Sequence, residues 1–436
     1  MKKQKYTIFI LILLIGIGFA YLSTTLSING RGLFGKSDWK IYFDNVREVE
    51  GSEFVTTVPE TSGDITTSLN FEVNLPKPGD KYKFYVDVVN AGDLDAMINV
   101  ITRTNLESNY AEYKVTYYDG VELSEKDLLK ANSKDILLIE VSYKTDIDLD
   151  TLSSDKDPVD ITISLEYTQS DKTSREVEHE LSSFSETEWE DIVKYAKVGI
   201  YPYEVGDSKC VHLDGYSTTN NNGCNGDFKV RVANTSSPSE CKQDNFSKSA
   251  CGFVLEFEDI ITSHIMNPSG EYKGTQYDYG WNKDGWPVSS MREFVNNDIY
   301  NSLPDILKDN IIDTYTISGY GENDNNGTGP DGNWESIDKL YLLTTAEIWE
   351  LGESNTIDND SARSYTRQLD YYSNLGVTTD NYSSAIKKRN GSASWWWLRG
   401  ANSCSTYNFY RVNDNGDWNY GNANYARGVS PAFRIG

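Results

Sequence analysis

From Trp39 to about Gln169, apolar and polar residues alternate in seven short runs: WKIYFDNV, LNFEVNL, YKFYVDVVN, AMINVIT, YKVTYY, ILLIEVSYKT and VDITISLEYT. A period of two sends successive side chains to opposite faces of a strand. Pro78-Gly79-Asp80, Asn90-Ala91-Gly92 and Asp119-Gly120 punctuate the runs as turns. Seven short strands at this spacing predict an all-β sandwich over residues 37–170. Upstream, Lys2, Lys3 and Lys5 precede an uncharged run from Tyr6 to Leu22, the pattern of an export signal. The run approaches the ~18 to 20 residues a membrane span needs. Ala20, between Gly18 and Ser23, offers a weak cleavage site, so a removed signal and an uncleaved anchor both stay open for residues 1–36.

Residues 171–184 are charged and carry no apolar period, which predicts a linker. Ser185 and Glu188 have capping-box spacing before a helix whose apolar face is Trp189, Ile192, Val193 and Ala196, so linker and helix together occupy 171–197. From 198 to 436 helices mix with strands. VGIYPYEVGDSKCVHL predicts strand, turn, strand, CGFVLEFEDII a strand leading into a helix or loop, and DTYTISGY and IDKLYLLT further strands. MREFVNNDIYNSL, LPDILKDNII, TAEIWEL and SARSYTRQLDYYSNLG predict helices, two of them with capping boxes at Ser290/Glu293 and Thr344/Glu347. The second domain is therefore expected to be α+β.

The last forty-two residues frame a polar display with apolar ends. Trp395-Trp396-Trp397-Leu398 opens the stretch and Val429, Pro431, Ala432, Phe433 and Ile435 close it. Asn415-Gly416 is a type I′ hairpin signal. Pairing around it would set Asn413 opposite Trp418, Val412 opposite Asn419 and Arg411 opposite Tyr420. One face then carries Arg411, Asn413, Trp418 and Tyr420. Together with the returns at Asn422, Asn424 and Tyr425, these are the candidate ligand contacts. Trp418 suits the core as well as it suits a ligand platform, and Arg411 beside Tyr420 suits a cross-strand cation–π pair of ~0.5 to 1 kcal/mol. The tryptophan run reads as core, although three consecutive rings cannot share one side of a strand. Arg399 is expected to pair with a buried carboxylate.

Charge and cysteine content narrow the chemistry. A formal net charge of −26 repels nucleic-acid phosphates and argues against nucleic-acid partners. Five cysteines in an exported chain suggest Cys210–Cys224 and Cys241–Cys251 disulfides, with Cys404 left over. With three histidines and no CxxC spacing, no metal site is assigned. Asp and Asn at 322–333 and 413–417 supply oxygen ligands, and calcium in a lectin-type loop is the one cofactor left as an alternative.

Two resemblances follow from these motifs. The FKFYVDVVN type of strand after a PxPGD turn, with the export segment running into LSTTLSINGRG, is similar to the camelysin and TasA-like surface sandwiches of Gram-positive bacteria. That resemblance implies a stalk or assembly module. GWPVSSMREFVNNDIYNSLPDILKDNIID, DKLYLLTTAEIWE, TRQLDYY, SWWWLRG and NFYRVNDNGDWNYGNANYARGVSPAFRIG, in that order, resemble an uncharacterised domain of exported gut Firmicutes proteins. That domain looks like a branch of the formylglycine-generating-enzyme and C-type-lectin-like fold. The resemblance implies either recognition of an extracellular glycan or protein, or oxidation chemistry that needs a cysteine pair near the end of the fold. Only Cys404 lies there, which favours a surface-held binding or adhesion protein over an enzyme. A structural assembly subunit is the third expectation.

Overall fold

The computed structural model describes residues 23–27, 39–57, 59, 67–103, 110–146, 163–177 and 183–436. The expected export or anchor run, residues 6–22, lies outside these. Among the described residues no helix is long and apolar enough to cross a membrane. The chain divides into two compact units, Met1–Leu181 and Ser182–Gly436. Both are built mainly from β-sheets, with short helices in the second.

In the first unit each alternating run contains a strand. Ile41–Glu50, Lys81–Asn90, Ser133–Tyr143 and Ala111–Tyr117 form one antiparallel sheet in that order. Ser23–Ser27, Ile163–Gln169, Ala96–Arg103 and Leu128–Leu129 form the other. Phe43, Phe84, Val86 and Ile139 from the first sheet share a core with Ile98, Leu165 and Tyr167 from the second. The LNFEVNL run yields only Glu72–Val73, paired with Val55–Thr57, while its Leu69 is buried in the core. Ser23–Ser27 belongs to the sandwich, so that unit begins upstream of the predicted boundary at residue 37. The predicted linker likewise starts late. Arg175 Nε donates to the buried Asp127 at 2.7 Å, which ties residues 171–177 to the sandwich.

The helix Trp189–Lys197 forms and buries Ile192, Val193 and Ala196 in the core of the second unit. Its N-cap is Glu188 with no side-chain bond, and the backbone of Ser183 accepts from Glu186 and Thr187 in a preceding turn, so Ser185 does not cap it. The helix beginning at Ser290 is capped one residue earlier than predicted, by Ser289 accepting from the Arg292 amide. The sixteen-residue helix expected over 361–376 is instead two short pieces, Arg363–Tyr365 and Asp370–Asn374. Tertiary bonds outcompete helix propensity between them. Thr366 Oγ1 donates to Glu347, Arg367 reaches Asn234 and the Ala250 carbonyl, and Gln368 donates to the Ile348 and Val377 carbonyls. Of IDKLYLLT, residues 340–344 are buried as expected, while Ile337 is exposed and, with Asp338, ends the strand Trp334–Asp338 that pairs with Thr314–Ser318; Tyr341 bridges to Ala432.

Two sheets carry the second unit. Ser208–Val211, Phe228–Asn234, Val254–Phe257 and Ala432–Arg434 form an antiparallel four-stranded sheet. Thr262–His264, Arg427–Val429, Trp396–Ala401, Asn408–Val412 and Trp418–Asn422 form a five-stranded one. The five-stranded sheet separates two cores. Trp397, Phe409 and Ala401 enter one; Trp396, Leu398, Tyr410 and Val412 enter the other. Strand alternation thus splits the tryptophan run between them.

Two buried charge clusters knit this unit. Arg399 and Glu347 are wholly buried and joined by two bonds of 2.6 and 2.8 Å. Glu347 also accepts from the Thr344 amide at 2.9 Å, so the residue read as a cap is the buried carboxylate that Arg399 requires. In the second cluster, Glu256 accepts from Arg231 at 2.9 Å, Lys387 at 2.7 Å and the Tyr372 hydroxyl at 3.1 Å. Lys387 is also satisfied by the Phe257 carbonyl and the Ser430 hydroxyl, and lies 4.6 Å from the Trp396 ring centre.

Candidate binding surface

The hairpin at Asn413–Asp417 sets which side chains the five-stranded sheet displays. Gly416 N–H donates to the Asn413 carbonyl at 3.0 Å and Asn413 N–H to that of Asp417 at 2.7 Å, with Gly416 at φ +92°. This is a type I turn followed by a left-handed glycine, not the predicted two-residue type I′ turn. The extra residue moves the register by one: Val412 faces Trp418, Arg411 faces Asn419 and Tyr410 faces Tyr420. Arg411 and Tyr420 therefore lie on opposite faces, and the predicted four-residue face is divided. A Cβ on Gly416 would sit 2.2 Å from the Tyr382 carbonyl oxygen. Gly416→Ala is thus expected to destabilise the second unit by more than about 1 kcal/mol, read as a lowered melting temperature.

The structure gathers only some of the predicted contacts. Trp418 is half-buried against the Tyr410 core, and its indole N–H donates to Asn355 at 3.1 Å. Tyr420 is exposed on that same face. Asn422 pairs with Asn408 toward the far end of the sheet, and Asn424 is a tether whose side chain donates to Ser269 at 3.0 Å. Arg411, Asn413 and Tyr425 do converge, around two residues the sequence reading did not select, Trp395 and Arg427. Trp395 immediately precedes the central strand, and Arg411 and Arg427 reach its ring from the strands on either side. Their guanidinium carbons lie 3.9 and 4.6 Å from the ring centre, and Arg427 is 5.1 Å from the ring centre of exposed Tyr425.

Arg411 is fixed by its Nε donating to the Tyr420 carbonyl at 3.1 Å and its Nη1 to Asn413 Oδ1 at 2.7 Å. Burial, with the charge of Arg427 alongside, pushes its guanidinium down to about 10. Arg427 donates to the Ala426 carbonyl, and its buried Nε has no partner. Alternation around Trp395 was the available signal: the first of three tryptophans must fall on the side of the third, at the sheet end. Arg427 carried no comparable signal, because its neighbourhood is set by the parallel pairing of Trp396 with Gly428.

The remaining candidates resolve by their partners. Cys210–Cys224 and Cys241–Cys251 are disulfides with Cα separations of 5.6 and 5.8 Å. Cys404 is exposed and free, its sulfur 3.1 Å from Asn359 Oδ1. In the 322–333 loop the Asp324 carboxylate is taken by Lys283, the Asp284 amide and the Trp334 indole, and Asp331 accepts from Tyr365. At 413–417 the polar residues make the turn. Among the described residues no group of three or more His, Cys, Asp or Glu is placed to hold a metal ion.

A family described as a domain of unknown function (DUF6273) matches residues 257–436, a stretch that includes the whole five-stranded sheet. No curated protein and no solved structure matches the chain.

Proposed function

We propose that this is an exported, surface-held binding protein whose second unit is a C-type-lectin-like recognition domain, with the sandwich as its stalk. One observation carries the reading: Trp395 and Tyr425 stand exposed at the end of the five-stranded sheet, beside two arginines that form no ion pair among the described residues. Aromatic residues and Arg are the side chains enriched where binding energy concentrates. The order of Trp-Trp-Leu-Arg strand, polar hairpin and closing Pro-Ala-Phe strand supports the lectin-like reading, and two disulfides fit an oxidising compartment. Adhesion is the role such a display would serve. Cys404 has no second thiol near it, so formylglycine-type oxidation is not part of the proposal.

A glycan array tests it. The full chain is expected to give signals that fall at least about tenfold in Trp395→Ala/Tyr425→Ala, each replacement removing an aromatic contact of the hot-spot class. Melting should be unchanged. Signals that persist in the double variant would place binding elsewhere.

A further inference from the structure

From Lys387 to Gly436 the chain carries seven Lys and Arg and only two Asp, although the whole chain has a net charge of −26. Two of these cations are neutralised internally: Lys387 by Glu256 and Arg399 by Glu347. Arg411 is different. It is 8 % exposed, and its partners are a carbonyl, an amide oxygen and an indole ring, with no carboxylate within ion-pair distance among the described residues. Arg427, beside the same ring, also has no carboxylate partner and leaves Nε unbonded. Withdrawing a cation from water without a counter-ion is destabilising, and two adjacent ones repel each other. The chain has 66 Asp and Glu from which a partner could have been drawn, so a missing partner here points to a counter-ion that arrives with a ligand.

The surroundings select the kind of anion. A guanidinium fork matches the paired oxygens of a carboxylate or sulfate. The rim is Tyr425, Asn413 and Asn419, an aromatic ring and amides suited to the C–H faces and hydroxyls of a sugar. The acidic chain also opposes a dense polyanion, which leaves an acid group set among neutral sugars.

We propose that Arg411 and Arg427, both stacked on Trp395, bind the carboxylate or sulfate of an acidic saccharide, with Tyr425 and Asn413 against its ring and hydroxyls. This rests on the recognition surface proposed above and names its ligand class. The full chain is applied to uronate-bearing, sialylated and sulfated glycans, each printed beside its neutral counterpart, and the strongest pair is then titrated by calorimetry. The acidic member is expected to bind at least about tenfold more tightly, through charge-assisted hydrogen bonds that the neutral member lacks. Uronate and sulfate prints separate the two anion sources. Arg427→Gln should erase that preference without lowering the melting temperature, and Arg427→Lys should restore part of it.

Equal binding of acidic and neutral members overturns the inference, as does an Arg427→Gln variant that keeps the preference. A tetraglutamate peptide that binds more tightly than every acidic glycan would replace the saccharide with a protein partner. Binding lost in Trp395→Ala/Tyr425→Ala but indifferent to charge would overturn the anionic ligand and leave the recognition surface standing. An array silent for every glycan would overturn both.

Discussion

Arg399→Met is expected to lower the unfolding free energy of the second unit by about 3 to 5 kcal/mol, because it leaves a buried carboxylate without its cation. Glu347 is wholly enclosed and takes two of its hydrogen bonds from Arg399. Glu347→Gln alone strands the guanidinium in the same enclosure and should cost about as much. The double variant Glu347→Gln/Arg399→Met should lose clearly less than the sum, since no uncompensated charge remains and the amide can still accept from the Thr344 N–H. Nine of the ten tryptophans lie beyond residue 182, so urea unfolding followed by tryptophan fluorescence reports this unit. A loss under 1 kcal/mol in Arg399→Met would show that water or a neighbouring group replaces the missing cation.

Lys387 makes the same unit more stable in mild alkali. Burial pushes its ammonium down to about 8 from 10.5, against the opposing pull of Glu256. Between those values the unfolded chain holds a proton the folded chain has released, so stability rises with pH across that window and the gain is absent below it. From pH 7.5 to 9.5 the gain is about 2 kcal/mol, at 1.36 kcal/mol per unit. The upper bound matters because burial holds Tyr341, Tyr372 and Tyr410 well above the usual tyrosine range. Above pH 10 unfolded tyrosines lose protons that the folded ones keep, and stability falls again. Chemical denaturation at the two pH values should show the rise in wild type and not in Lys387→Met; a parallel rise in the variant would assign it to another group.

Local patterns were legible and register was not. Alternation located the strands of the sandwich because a period of two is written into each run. It also placed Arg399 opposite a carboxylate, since a charge between Leu398 and Gly400 inside a buried strand has no other resting place. The hairpin failed on one glycine. Asn415-Gly416 fits both the two-residue turn and the longer turn with a left-handed third residue, and the bonds from the Gly416 amide to the Asn413 carbonyl and from the Asn413 amide to the Asp417 carbonyl mark the longer one. That single residue moved Trp418 and Tyr420 to the face opposite Arg411. Helix expectations over 361–376 failed for a related reason: Thr366, Arg367 and Gln368 have acceptable helical propensity, but their partners lie far away in sequence. Trp395 and Arg427 meet through strands distant along the chain, which no window of the sequence spans.

The strand Ala432–Arg434 completes the four-stranded sheet by pairing with Val254–Phe257, whose four residues are all buried. Phe433 and Ile435 also enter the core begun by Ile192 and Val193. A chain emerging from the ribosome therefore has every residue of its sandwich long before its second unit can close. Throughout that interval Val254–Phe257 presents an open apolar edge, the kind of surface that recruits other unfinished chains. Emergence of Ala432–Arg434 is then the step that converts an aggregation-prone intermediate into a closed sheet, and a chain lacking these residues would keep its sandwich while the Val254–Phe257 edge stayed open.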